Sequence, residues 1–323
     1  MRLGLSLSAR RGVGAPIAMV RTLVLLVMAL MLGAADAPPA RPHLALVVKT
    51  FRNPYFEAMV DGAEDGAADL GASIEVTAPQ FETSIDEQIG IINQLIDQRV
   101  DGLLLAPADS IRVIPALKRA EAAGIPVVVI DNPIDAETAT SSGLRPVPVI
   151  TVDNQDAAYR AVKQVLSQFD ADKRTIKAAI IEGIRGAENG EARRAGALKA
   201  FGEDKRVTLV ASESAEWERE QGEKVAARII AKVPDLDLLF CANDNMALGA
   251  ISALLTAGAD KVKVVGYDAL PEALDAVRAG TLAATVDQRA GRQGRMGIEY
   301  LLKRLHGEPV PPQTTVEVRI VRE

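Results

Sequence analysis

The sequence predicts an α/β protein of two similar lobes, each a doubly wound parallel sheet, and three observations carry that expectation. Short apolar runs alternate with amphipathic helical segments from about residue 41 onward. The alternation runs through twice. Polar residues recur just beyond the ends of the apolar runs. Strand–helix alternation selects parallel sheets covered by helices on both faces, and two successive series select two such units.

The first forty residues differ in composition from the rest. Arg2, Arg10, Arg11 and Arg21 precede the apolar run Leu23 to Leu32, which leads into Gly33-Ala34-Ala35-Asp36-Ala37. Basic flank, short apolar stretch and small residues together read as a secretory signal, assigned to residues 1–37. The run is too short to span a bilayer comfortably, and no later run of about twenty apolar residues follows. Cleavage after Ala35 or after Ala37 satisfies the small-residue requirement, and Met1 and Met19 both stand open as the start. No cysteine directly follows the apolar run, which argues against a lipid anchor there.

Beyond Ala40, the runs Leu44–Lys49, Ser73–Thr77, Gly102–Leu105 and Pro126–Ile130 have the continuous apolar character of strands buried on both faces. Between them lie helices. Asn53 ahead of Pro54 reads as an N-cap with a first-turn proline. Ser84 with Glu87 reads as a capping box before Ile89, Ile92, Leu95 and Ile96. Asn132 to Val147, with its Thr, Ser, Gly and Pro residues, is expected to be a mobile loop. A second series of strands follows at Lys177–Ile181, Thr208–Ala211, Leu238–Cys241, Val262–Tyr267 and Ala283–Val286. Cys241, at the end of an apolar run, should be a buried, unpaired thiol.

Composition narrows the chemistry. With 37 Lys and Arg against 43 Asp and Glu, the net charge of -6 repels polyphosphates, so no nucleic-acid partner is expected. Two histidines and one cysteine leave little from which to build a zinc site or a Cys–His nucleophile, and neither metal nor cofactor is expected. Function must come from carboxylates, amides, guanidinium groups and rings. In open α/β sheets ligands bind beyond the carboxyl ends of strands, and Asn53, Asp131, Asn243-Asp244 and Asp268 sit at or just past such ends. Any one of them read alone is more simply the N-cap of the next helix. Their coincidence with Tyr55, Phe56 and Trp217, in a chain only 3% aromatic, points to a carbohydrate site. There polar groups satisfy fixed hydroxyls and flat rings cover the C–H faces of a sugar.

Four segments resemble the ribose- and allose-binding periplasmic proteins: Lys49-Thr50-Phe51-Arg52-Asn53-Pro54-Tyr55-Phe56, Ile181-Glu182-Gly183 through Gly190-Glu191-Ala192-Arg193-Arg194, Cys241 through Gly249, and Val265-Gly266-Tyr267-Asp268. The resemblance spans nearly all of residues 43–323, and Lys49 with the Gly-Glu-Ala-Arg-Arg run is most similar to the allose branch. It implies the type I periplasmic binding fold, in which a three-segment hinge joins an N-terminal lobe (41–153 and 288–316) to a C-terminal lobe (154–287 and 317–323). The crossings would lie near Thr151–Asn154, Asp287-Gln288 and Val316-Glu317. It further implies a monosaccharide held by Lys49, Asn53, Tyr55, Phe56 and Asp131 from the first lobe, and Arg193, Trp217, Asn243 and Asp268 from the second, with Gln288 at a hinge. Phe56 and Trp217 would sandwich the sugar ring, and Asp268 would accept a bond from Arg193. Implied partners are the membrane permease of an ABC transporter and a chemoreceptor, and the receptor would be a periplasmic monomer without catalytic activity. Asn132 and Phe56 depart from the family pattern and leave the identity of the sugar open.

Two other classes share parts of this reading. Sugar-responsive repressors use the same core, but they carry a DNA-binding helix-turn-helix where this chain has an export signal. A carbohydrate-active enzyme would need a catalytic constellation such as an Asp131–Asp268 carboxylate pair. Neither a nucleophile elbow nor a phosphate loop follows the signal segment.

Overall fold

The computed structural model describes Met1, Gly4 and residues 41–322. Apart from Met1 and Gly4, the expected signal segment, with Met19 and both cleavage sites, lies outside them. The first lobe's sheet holds β1 (His43–Val47), β2 (Ser73–Thr77), β3 (Gly102–Leu105), β4 (Val127–Ile130), β5 (Val149–Thr151) and β11 (Gln313–Thr315) in the order β11-β5-β4-β3-β1-β2. Every pairing in it is parallel. The second lobe's sheet holds β6 (Ile176–Glu182), β7 (Val207–Ser214), β8 (Leu238–Cys241) and β9 (Lys263–Val265) in the order β7-β6-β8-β9, again all parallel. Both orders step outward from the first strand in opposite directions, the doubly wound pattern whose switch point opens a crevice at the strands' carboxyl ends. A two-stranded antiparallel ribbon pairs β10 (Thr285–Asp287) with β12 (Arg319–Val321).

Strand alternation sets the layers of the first lobe. Leu44, Leu46 and Val48 join one buried cluster, whereas Ala45 and Val47 face the other side with Ile92, Leu95 and Leu117. The first cluster lies under helices α1 (Tyr55–Asp69) and α10 (Ala290–Leu305), the second under α2 (Ile85–Gln98) and α3 (Ile114–Ala122). Helices α1 and α10 approach so closely that a Cβ on Gly62 would lie 2.0 Å from the carbonyl oxygen of Gly291. Only glycine permits that approach. In the second lobe, α5 (Asn154–Leu166), α6 (Glu188–Glu203), α7 (Arg219–Lys232), α8 (Asp244–Thr256) and α9 (Pro271–Arg278) cover the sheet.

Two local expectations need correction, and three strands had no counterpart in the sequence reading. Ser84 does begin α2, but its hydroxyl makes no capping bond, and the Glu87 carboxylate accepts the Gln80 N–H at 3.0 Å instead of closing a capping box. Residues 132–147 are not simply a loop: α4 (Ala136–Ser141) forms there because the Asp135 carboxylate caps it through the Thr138 N–H at 2.7 Å. Strands β5, β11 and β12 have three residues each and carry no recognisable pattern. Cys241 is buried and free, as expected, and burial pushes its thiol well above the ordinary range. Among the described residues no helix is long and apolar enough to cross a membrane, and no group of three or more His, Cys, Asp or Glu is placed to hold a metal.

Candidate functional site

All ten residues singled out from the sequence line one small cavity between the lobes, together with Glu82 and Asn189. The backbone brings them there. Lys49 follows β1, Asp131 follows β4, Asn243 follows β8 and Asp268 follows β9, so the carboxyl ends of both sheets converge on one space. Asp131, Trp217 and Asp268 hold φ at 65°, 67° and 122°, a region that non-glycine residues seldom occupy. Such backbones persist only where their surroundings over-determine them, and all three aim side chains at the cavity.

In the first lobe, Lys49 Nζ lies 2.7 Å from Asp131 Oδ2, and both side chains are almost wholly buried. The Tyr55 hydroxyl donates to Asp131 Oδ1 at 3.2 Å, and Phe56 packs edge-on against Tyr55 with ring centroids 5.2 Å apart. Asn53 combines a structural role with its place in the cavity wall. Its Oδ1 accepts the Tyr55 N–H at 3.1 Å, securing the start of α1, while its Nδ2 donates to Glu82 Oε1 at 2.9 Å. Glu82 is buried, and that burial pushes its carboxyl up to about 7 even though Lys49 and Asn53 pull it down.

In the second lobe, the Arg193 guanidinium stacks 3.8 Å above the Tyr267 ring and 5.5 Å from that of Trp217. Its Nε donates to Asn154 Oδ1 at 2.9 Å and its Nη1 to the Ala242 carbonyl at 2.8 Å. The expected bond to Asp268 is absent. Arg193 Nη1 stands 3.7 Å from Asp268 Oδ1, an ion-pair distance beyond hydrogen-bond length, while its Nε and Nη1 donate to Asn154 and Ala242. Asp268 Oδ1 accepts instead from Gln288 Nε2 at 2.6 Å. Burial raises the Asp268 carboxyl well above the usual range, against the opposing pull of Arg193. Asn243 is committed on both sides: its Oδ1 caps α8 through the Met246 N–H at 2.9 Å, and its Nδ2 donates to the Trp217 carbonyl at 3.1 Å. Asp244, named beside it from the sequence, is fully buried and accepts from Thr285 Oγ1 and the Leu270 N–H, which makes it a brace behind the site.

Two lining residues were not legible in the sequence. Glu82 sits in the loop after β2 with no strand-end or motif signal, drawn in by the Lys49 charge and the Asn53 amide. Asn189 lies inside a segment noted for its arginines; its side-chain oxygen is buried and makes no hydrogen bond within the protein. The cavity encloses only 20 Å³, so the two walls must part before a sugar ring can enter. A larger cavity of 510 Å³ lies at the opposite end of the first sheet, against Pro126 and Val127, with Glu121, Arg145 and Arg304 in its wall and none of the residues singled out from the sequence.

Two α/β lobes with a polar and aromatic cleft between their strand ends define a two-lobed solute-binding protein. Residues 44–309 match the model of the periplasmic binding protein domain, and the chain belongs to that family. It is 33% identical over 284 residues to the D-allose-binding periplasmic protein of Escherichia coli, covering 87% of this chain and 91% of that protein. It is 36% identical over 278 residues to the D-ribose/D-allose-binding protein of Pseudomonas aeruginosa, covering 84% of each. Among solved structures, an ABC transporter periplasmic solute-binding protein from Actinobacillus succinogenes with bound D-allose superposes with a TM-score of 0.83 at 38% identity, covering 87% of this chain and 98% of that one. The type I periplasmic binding fold expected from the sequence is therefore the fold observed.

Proposed function

We propose that this protein is a periplasmic receptor that closes on a ribose- or allose-like monosaccharide and presents it to an ABC transporter permease. The observation that carries this reading is the convergence of twelve mostly polar and aromatic side chains from both lobes on one cavity. Relatives named for ribose and allose, and a solved relative holding D-allose, support the same ligand class. Asp131 and Asp268 accept sugar hydroxyls, Lys49 and Arg193 donate, and Asn189 supplies a free amide oxygen. Asn53, Asn243 and Gln288 complete the polar lining beside Tyr55, and Phe56 and Trp217 cover the faces of the ring.

Each lobe alone satisfies part of the ligand, so the sugar selects the closed form. A micromolar affinity corresponds to about -8 kcal/mol, and about 5.5 kcal/mol of differential binding moves a two-state hinge from 1:99 to 99:1. The lobes divide as 41–153 with 288–316 and 154–287 with 317–323, and the three passages between them flex. Residues 1–37 direct export and are removed. The mature monomer offers its closed surface to the permease and to a chemoreceptor.

A thermal-shift screen of pentoses, hexoses, their ketoses and polyols tests the reading. A true ligand at about 100 times its Kd stabilises by about 2.7 kcal/mol. The sugar should be recovered chemically unchanged after incubation. No stabilisation by any monosaccharide, or a converted sugar, would overturn the proposal.

Closure should also depend on pH through Glu82. Part of what raises its carboxyl, including the charge of Glu218 from the second lobe, exists only when the lobes meet. In an open, wet cleft a glutamate titrates near 4.3. The closed form thus binds more protons than the open form from about pH 4.3 to about 7, and affinity falls as pH rises across that window before levelling. Asp268 shifts in the same direction, so Glu82→Gln should flatten the profile without abolishing its slope. Titration calorimetry at pH 5, 6, 7 and 8 checks this; superimposable profiles for variant and wild type would remove Glu82 from the linkage.

A further inference from the structure

Helix α6 carries both Asn189 and Arg193 into the sugar site, yet its own sequence provides no cap. The residue before it is Ala187, which has no side-chain acceptor for the unpaired N–H groups of the first turn. The acceptors come from the other lobe. Asn132 Oδ1 accepts the Asn189 N–H at 3.1 Å, and Ser110 Oγ accepts the Glu188 N–H at 3.4 Å. Asn132 is aimed by its own lobe: its Nδ2 donates to the Pro107 carbonyl at 3.1 Å and to Ser110 Oγ at 3.3 Å. It is fully buried and, unlike its neighbour Asp131, does not line the sugar cavity.

We propose that Asn132, braced by Ser110, is a positioning residue that caps α6 across the cleft and so sets the strength of lobe closure independently of the sugar. These bonds exist only when the lobes meet. In the open form water serves the Asn189 and Glu188 N–H groups, whereas in the closed form the first lobe serves them and the helix bearing Arg193 is seated. Both donors of the Asn132 amide are committed to the first lobe and its oxygen accepts the Asn189 N–H, and the side chain does not line the sugar cavity. Position 132, which the sequence suggested as a reporter of sugar identity, therefore governs affinity and leaves selectivity alone.

The inference rests on the reading of the chain as a closing sugar receptor, and its test separates the two. Two variants are compared with the wild type. Asn132→Ala removes the cap. Glu188→Pro removes one capped N–H at the first helical position, where proline is tolerated, and Ala187 is already extended at ψ 122° as a residue before proline should be. Calorimetry with each sugar bound by the wild type should show Asn132→Ala weakened by about 3-fold to 30-fold, the same factor for every sugar, carried by faster dissociation. Glu188→Pro should weaken all sugars uniformly by less. Should Asn132→Ala also melt earlier without ligand, Glu188→Pro decides, since it leaves the first lobe whole. Affinities unchanged in both variants, or losses that differ from sugar to sugar, would overturn the cap. If the wild type binds no sugar, the receptor reading fails, and a pair of spin labels, one per lobe, tests the cap alone. A smaller closed population in both ligand-free variants supports it, and an unchanged distance distribution refutes it.

Discussion

Replacing Asp268 with alanine should weaken sugar binding by roughly thirtyfold to several thousandfold, the equivalent of about 2 to 5 kcal/mol. In the closed cleft the Asp268 carboxylate accepts from Gln288 and faces the Arg193 guanidinium at 3.7 Å. Alanine leaves both of these and the sugar hydroxyls short of an acceptor where water cannot replace it. The open form is wet, so the ligand-free melting temperature should hardly move. Calorimetry with the best sugar of the screen, beside a melting curve without ligand, reads both quantities. Near wild-type affinity would remove Asp268 from the site, and lost binding with an early melt would make it a folding residue.

A single methyl group at Gly183 should do nearly as much. Gly183 directly follows β6, and a Cβ there would lie 2.1 Å from the Trp217 ring carbons Cζ2 and Cη2. The indole rests on bare backbone, with Gly190 forming more of the same floor. Since two atoms cannot share that distance, Gly183→Ala must lift a buried, rigid ring toward a cavity of only 20 Å³. Overpacking of this kind costs about 1–3 kcal/mol, which translates to a loss of about fivefold to about 150-fold in affinity if it falls on the sugar-filled state. The double variant Gly183→Ala with Trp217→Ala relieves the clash but removes the indole wall, so affinity should not recover. Wild-type binding by Gly183→Ala alone would mean that the indole does not form a wall of the site.

The residues most legible in the sequence were those where backbone position and side-chain chemistry coincide. Lys49, Asp131 and Asp268 sit at strand ends, where a parallel sheet presents whatever follows it. For Asn53 and Asn243 the plainer reading as helix caps and a place in the cavity wall are compatible. Each secures a helix start and also lines the cleft, so the same amide fixes the element that carries the site. Glu82 and Asn189 were illegible because their places depend on packing between distant segments, which leaves no spacing to read. Strands β5, β11 and β12 have three residues each and cannot display a period of two; β9 and β10 are as short and were legible only through the apolar runs Val262–Tyr267 and Ala283–Val286 that overlap them. The Ser84–Glu87 pair had the right spacing, but Gln80 offered the carboxylate a competing N–H.

The sharing of the first lobe between two distant stretches of chain has a consequence for the order of assembly. Its outermost strand, β11, and the helix packed against Gly62 both come from beyond residue 289, after the whole second sheet has been laid down. A growing chain that has reached residue 280 therefore possesses every strand of the second sheet but an unfinished first lobe, with α1 lacking the helix that covers it. Contacts so far apart in sequence form slowly, because a long loop must close before they stabilise anything. Until the last thirty or so residues are made, the amino-terminal third of the polypeptide has no complete partner to fold against. That late completion leaves the leading end of the chain loose for as long as synthesis continues.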